Sequence, residues 1–238
     1  MRVLRWAVLL AGIAVGLWLI GSPYYNEVVY THEAETVICA FREQVEAERK
    51  AVSVETEPPV TIYPELLRAM QDYNRTLAED GQACLTGPAD YERSPVPLSD
   101  YGLEEDAPVG VLSIPSIELE LPLYLGANTF QMAKGAAVLG GTSCPIGGAS
   151  TNCVIAGHRG YRGIPYFRYL DRLKPGDTVL LTNLWETLAY EVTGCEIIQP
   201  NDVNAVLIED GVDHLTLLTC HPYTVGTQRL VVYCQRKY

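Results

Sequence analysis

The stretch Thr216-Leu-Leu-Thr-Cys220-His-Pro-Tyr-Thr-Val-Gly-Thr-Gln-Arg229, which runs straight into Leu230-Val-Val-Tyr233, decides how the chain is read. Leu215 to Thr219 has the composition of a short strand and Leu230 to Tyr233 that of its return. Between them Pro222 to Thr227, with Pro222 and Gly226, reads as the connection. Such a hairpin leaves Cys220 at the end of one strand and Arg229 at the start of the next. A thiol held on rigid backbone across from a permanent cation has the makings of an activated nucleophile facing a fixed positive charge. Taken alone, the pair would more often be a buried strand-end cysteine and a solvated arginine.

A second element changes that reading. Well upstream, Cys153-Val-Ile-Ala-Gly157-His158-Arg-Gly160 is a short apolar strand that ends in Gly-His. Gly-His-Arg-Gly, Thr-Leu-Leu-Thr-Cys-His-Pro-Tyr and Arg-Leu-Val-Val together resemble the sortases, the cysteine transpeptidases of Gram-positive surfaces. Within that family the pattern is most similar to the class C pilin polymerases. Gly110-Val-Leu-Ser-Ile-Pro115, Leu121-Pro-Leu-Tyr124, Leu139-Gly-Gly-Thr-Ser143 and Gly147-Gly148 agree, so the resemblance covers Val109 to Arg236. It implies Cys220 as nucleophile, His158 as general acid/base and Arg229 as stabiliser of substrate and oxyanion. Thr219, Gly157 and His221 are the implied substrate-facing positions. The implied substrate is a Leu-Pro-x-Thr-Gly-like signal at the C-terminus of a surface or pilin protein, cut between Thr and Gly. The acceptor is an amine, either a pilin lysine, for pilus assembly, or a peptidoglycan cross-bridge, for wall anchoring.

The residue types suit that chemistry on their own terms. Acyl transfer needs a thiolate, a proton donor for the leaving amine, and a cation or amide donors for the oxyanion. Arginine stays protonated, so Arg229 can act only electrostatically or as a donor, whereas histidine both donates and accepts near neutrality. Two other histidines flank the nucleophile. His214 lies six residues before Cys220, roughly 20 Å along an extended strand, and is out of reach. His221 should point away from the Cys220 side chain by strand alternation. Arg159 and Arg162 read as solvated loop charges, and Asp213 stands where it could orient a neighbour. A papain-like arrangement is disfavoured because there the cysteine precedes the histidine. The reading from another class is a disulfide-rich, membrane-tethered adhesion or assembly module without catalysis.

With 17 basic and 29 acidic residues the formal net charge is −12, which opposes a nucleic-acid footprint. No phosphate loop, dinucleotide fingerprint or metal-spaced Cys/His cluster is visible, and no cofactor is expected. Seven cysteines are an odd count. In an exported chain this suggests three bridges and one functional thiol. Many connectivities are possible; by location the expected pairs are Cys39 with Cys84, Cys144 with Cys153, and Cys195 with Cys234.

Three regions are expected. Residues 1–22 contain Arg2 and Arg5 followed by the uncharged run Trp6 to Ile20, a membrane anchor or signal segment. No small-x-small cleavage site follows, which favours an uncleaved single-pass anchor in a Gram-positive cell membrane with the remainder outside. Since the chain stops at Tyr238, anchoring is expected to rest on this segment alone. Residues 23–108 are expected to form helices over Glu27 to Ala51 and Tyr63 to Glu79, broken at Pro58-Pro59, then an irregular loop from Gln82 to Pro108. In class C sortases that region supplies a lid whose Asp-Pro-aromatic triplet plugs the active site. Here Ser94-Pro95-Val96 stands nearest the expected place and has neither the acid nor the ring. Residues 109–238 contain eight short runs at strand spacing, so the expected fold is mainly β: a closed, antiparallel-rich, eight-stranded sortase-type β-barrel with N-terminal helices and a short membrane anchor.

Overall fold

Short apolar runs bounded by turn residues bury their side chains by curling one sheet until its edges meet, which leaves no edge strand unpaired. The computed structural model describes residues 2–55, 61–83, 85, 88–161 and 163–238. Among them are eight strands: β1 (Gly110–Ile114), β2 (Leu119–Leu125), β3 (Ala136–Val138), β4 (Thr151–Ala156), β5 (Thr178–Asn183), β6 (Thr187–Ile198), β7 (Asp213–His221) and β8 (Gln228–Arg236). They close in the order β1-β2-β3-β4-β7-β8-β6-β5. The expected barrel is therefore present, and it is mixed, because β2 with β3 and β4 with β7 pair in parallel. Leu112, Leu123, Ile155, Leu181, Leu217 and Val232 fill its interior and are fully buried.

Polar groups pin the end of the barrel where β7 begins. The buried Asp213 carboxylate accepts hydrogen bonds from the Tyr190 hydroxyl at 2.9 Å, the Gly148 amide at 2.9 Å and the Thr151 hydroxyl at 3.4 Å. Asp213 thus serves the scaffold. Asn74 is likewise buried, accepting from the Cys144 amide at 2.7 Å, and ties α2 (Pro64–Glu79) to the barrel.

The expected separation of anchor and first helix is replaced by one continuous helix, α1 (Arg2–Glu55), which passes through Pro23. Its two halves have different surroundings. Large side chains from Leu4 to Ile20 are exposed, and the helix is long and apolar enough to cross a membrane by length and composition. From Ala34 onward a stripe of Ala34, Ile38, Phe41 and Val45, at helical spacing, is buried against the barrel. Arg42 pairs with Glu120 of β2 at 2.6 Å, and Arg49 donates to the Trp185 carbonyl at 2.6 Å. The break expected at Pro58-Pro59 lies outside the described residues.

The segment read as an irregular loop is packed. It forms α3 (Pro88–Tyr91) and a 3₁₀ turn (Leu98–Tyr101), with Val96 and Leu98 buried in the core. Glycines permit this approach: a Cβ on Gly126 would lie 2.7 Å from the Glu92 carbonyl oxygen, and one on Gly140 only 2.1 Å from that of Asp90.

The bridges expected between Cys144 and Cys153 and between Cys195 and Cys234 are not formed; the six described cysteines are free thiols. Along the β6–β8 ladder Cys234 faces Val192 and Cys195 faces Val232. Each thiol is therefore set against a valine and not against the other, with Cys234 buried and Cys195 exposed. Cys144 and Cys153 are buried as small apolar groups. Cys39 is exposed on α1, and its expected partner Cys84 lies outside the described residues.

Tyr190→Phe keeps the ring but strips the Asp213 carboxylate of one of its donors. Urea denaturation should show a loss of about 1–3 kcal/mol; unchanged stability would mean the carboxylate is satisfied without the hydroxyl.

Candidate active site

Cys220 and Arg229 face each other as Cα partners one rung from the end of the β7–β8 ladder. Alternation along β7 decides which side chains are available. Leu217 and Thr219 are buried, whereas Cys220 is exposed. The turn then folds back over the thiol: Gly226 adopts φ +67°, and a Cβ there would meet Cys220 Sγ at 3.8 Å. The Arg229 guanidinium is anchored to this turn, with Nη1 donating to the Gly226 carbonyl at 3.0 Å and to that of Gln228 at 2.9 Å.

His158 arrives from the other neighbour of β7. The parallel register matches Ala156 with Leu218, and the pairing continues as the Gly157 amide donates to the Leu218 carbonyl at 3.1 Å. Carried on by two residues, that register sets His158 beside Cys220, on a strand path about 4.8 Å away. The Thr219 hydroxyl donates to the Gly157 carbonyl at 2.8 Å, which locks the two strand ends together. Thr219 is buried and Gly157 is packed under the Phe167 ring, where a Cβ would come within 2.8 Å. Both implied substrate positions are buried at the joint between the two strand ends. His158 itself is half-buried, stacked on Tyr161 with centroids 4.8 Å apart and edge-on to Tyr166 at 5.8 Å. Burial pushes its pKa down, favouring the neutral ring.

Arg159, read as a solvated charge, is buried beneath the site. Its Nη2 pairs with Asp171 at 2.8 Å, and its Nη1 contacts the His221 Nδ1 and lies 3.5 Å from the Cys220 carbonyl oxygen. A guanidinium can only donate, so the His221 Nδ1 is the acceptor and its ring proton sits on Nε2. His221 is thereby held on the Arg159 side, away from the thiol, as alternation predicts. Sequence reasoning missed Arg159 because its charge finds partners only in the fold: Asp171 comes from the short helical segment Tyr166–Arg172. Arg162 lies outside the described residues. His214 is at the opposite end of β7, 4.0 Å from Glu209.

The Ser94 hydroxyl donates to the Val96 carbonyl at 2.6 Å, and Val96 is buried in the barrel core. Tyr91 of this segment feels the Arg229 charge. Burial raises its phenol pKa, the Asp90 carboxylate raises it further, and the Arg229 cation opposes both. The Tyr91 carbonyl accepts from the Ala127 and Gly140 amides at 2.9 and 3.0 Å, which fixes the segment across the barrel end.

Comparison with known proteins agrees with this geometry. The sortase domain family model matches residues 112–237, more than half of the chain, and the chain belongs to the sortase family. It is 31% identical over 129 residues to sortase A of Listeria monocytogenes, an alignment covering 54% of this chain and 56% of that protein. The chain thus spans about half the length of that curated relative. Similar solved structures are mostly class C sortases. Sortase C1 of the GBS pilus island 1 superposes with a TM-score of 0.70 at 29% identity, over 86% of this chain and 92% of that one. Clostridium perfringens sortase C with its C-terminal cell wall sorting motif gives 0.69 at 30% identity, over 86% and 100%.

Thiol labelling of the native chain should separate the cysteines by burial. Cys39, Cys195 and Cys220 are expected to react, while Cys144, Cys153 and Cys234 resist. Burial pushes the Cys234 thiol up to about 12 and raises those of Cys144 and Cys153 as well, depleting the reactive thiolate. Mass loss of paired hydrogens in the unreduced chain, instead of six free thiols at the described positions, would contradict the structure.

Proposed function

We propose that the chain is an extracytoplasmic cysteine transpeptidase that cleaves a Leu-Pro-x-Thr-Gly-like sorting signal between Thr and Gly and joins the acyl group to an amine. What supports this reading is the placement of three residues at the ends of adjoining strands: Cys220 opposite Arg229 on β7 and β8, and His158 just beyond β4.

In the first step the Cys220 thiol passes its proton to the neutral His158 ring as the sulfur adds to the Thr carbonyl carbon. The oxyanion that develops faces the Arg229 cation, which the turn carbonyls hold in place. The C–N bond to Gly then breaks, and His158 supplies the proton that the departing amine takes. In the second step an acceptor amine adds to the thioester carbonyl and gives up a proton to His158. The sulfur leaves as the new amide bond forms and takes that proton back from His158, restoring the starting enzyme. The class C likeness of the similar solved structures favours a pilin lysine as acceptor, and pilus assembly as the setting. A peptidoglycan amine is the second acceptor, favoured by the relatives that are class A enzymes. The exposed apolar half of α1 supports a single-pass anchor that keeps the barrel on the outer face of the cell membrane.

Cys220→Ala should abolish both thioacyl-enzyme formation and amine ligation while leaving the thermal transition unchanged. His158→Ala and Arg229→Ala should each lower turnover of a sorting-signal peptide by at least about 10²-fold. His214→Ala, at the far end of β7, should cost little. Retained turnover in the Cys220 variant would sink the assignment, and a His214 variant as damaged as His158→Ala would mean the proton carrier is misassigned.

A further inference from the structure

Among the described residues no hydrogen bond or ion pair holds the His158 ring; aromatic faces hold it. Tyr161 stacks on it, and Tyr166 meets it edge-on with interplanar angle 68°. Tyr161 follows in the same loop, but Tyr166 is itself fixed from outside that loop. Its ring lies 4.8 Å from that of Tyr30 on α1. The two hydroxyls donate to consecutive carbonyls at the end of α4 (Thr129–Lys134): Tyr166 to Ala133 at 2.8 Å and Tyr30 to Lys134 at 3.0 Å. These are last-turn carbonyls that lack partners within their own helix. Tyr166 also sits at φ +40°, a left-handed conformation that a bulky residue adopts only where its surroundings dictate it.

The same helix touches the His158 loop a second time. A Cβ on Gly163 would lie 2.6 Å from the Pro23 carbonyl oxygen, so that loop rests directly on the α1 backbone. Pro23 and Tyr30 are about two helical turns apart and so share one face. Immediately before Pro23 comes the exposed apolar run.

We infer that the Pro23–Tyr30 segment of α1 is a positioning element for His158, acting through the Tyr166 ring, so that the helix carrying the apolar run also sets the proton-transfer group. Tyr30 and Tyr166 are positioning residues: neither is placed against the reacting atoms. The inference rests on His158 being the acid/base of the proposed reaction. A purely structural role for Tyr30 would lower stability without altering the imidazole, whereas positioning makes a local and specific demand on that ring.

The test uses the full-length chain in detergent micelles. Tyr30→Ala is expected to lower kcat for a sorting-signal peptide on the order of ten- to a hundred-fold, as for a misplaced catalytic group. KM should stay within about twofold, because no substrate contact is removed. Tyr30→Phe, which keeps the ring and loses only the hydroxyl, should recover most of the rate. An independent readout is the NMR signal of the His158 ring followed through pH. The groups facing that ring are Tyr161 and Tyr166 from its own loop and Cys220 from β7; Arg159 is engaged with Asp171 and His221. With Tyr30 gone, water should reach the imidazole, its titration midpoint should rise toward the ordinary value of about 6.5, and its ring-current shifts should change. Should Tyr30→Ala keep the wild-type kcat, titration midpoint and ring shifts, the inference falls while the transpeptidase reading stands. Should the wild-type chain fail to process any sorting peptide, that reading falls, and the NMR comparison still decides whether α1 positions the ring.

Discussion

The parallel pairing of β4 with β7 is the constraint on which the rest of the site depends. These strands are distant in sequence, and a parallel pair needs a long crossover between its members. The chain supplies it with the Tyr166–Arg172 turns and the β5–β6 hairpin. Because side chains alternate, a slip of one residue in this register would turn Cys220 into the barrel and Thr219 out of it. The bond from the Thr219 hydroxyl to the Gly157 carbonyl opposes that slip where it matters most, at the strand ends. The Thr219 side chain thus holds Cys220 in phase with His158 across the two strand ends.

The two ends of β7 divide the labour. At one end Asp213, Tyr190, Thr151 and Gly148 form a closed polar knot, and Thr216 donates to Asn152 across the β4–β7 pair at 2.8 Å. At the other end the ladder stops and the thiol is left uncovered between a half-buried imidazole and an anchored guanidinium. Buried polar groups whose partners are satisfied give the first end its rigidity, and it is this rigidity that allows the second to hold reactive groups in the open. Arg159 joins the two loops there, since one guanidinium reaches Asp171, the His221 ring and the Cys220 backbone.

The barrel was legible in the sequence because its strands are short apolar runs punctuated by Gly and Pro, and the candidate site because Gly-His and Thr-Cys each terminate such a run. What was not legible depended on which distant surfaces meet. Arg159 reads as a loop charge until Asp171 and His221 are brought around it. The pairing of Cys195 with Cys234 followed from compartment and location on two late strands, yet the register sets each thiol opposite a valine. Ser94-Pro95-Val96 sits at the expected distance along the chain, but Val96 is the residue that the core takes up. The boundary expected after residue 22 does not interrupt the helix, since α1 continues through Pro23 although proline removes a helical hydrogen bond.

That continuity gives α1 its particular character. An anchor joined through a flexible linker would leave the barrel free to turn on its tether, and the orientation of the site would be an average. Here the stripe Ala34, Ile38, Phe41 and Val45, with Arg42 and Arg49 reaching β2 and the β5–β6 turn, fastens the helix along the barrel wall. The apolar half then leaves from the barrel end where Pro23 meets Gly163 and Tyr30 meets Tyr166, which is the end that holds the thiol. A rigid helix fastened in this way fixes the direction in which the site faces relative to its anchor. A fixed orientation of this kind removes rotational freedom that any encounter at the site would otherwise have to give up.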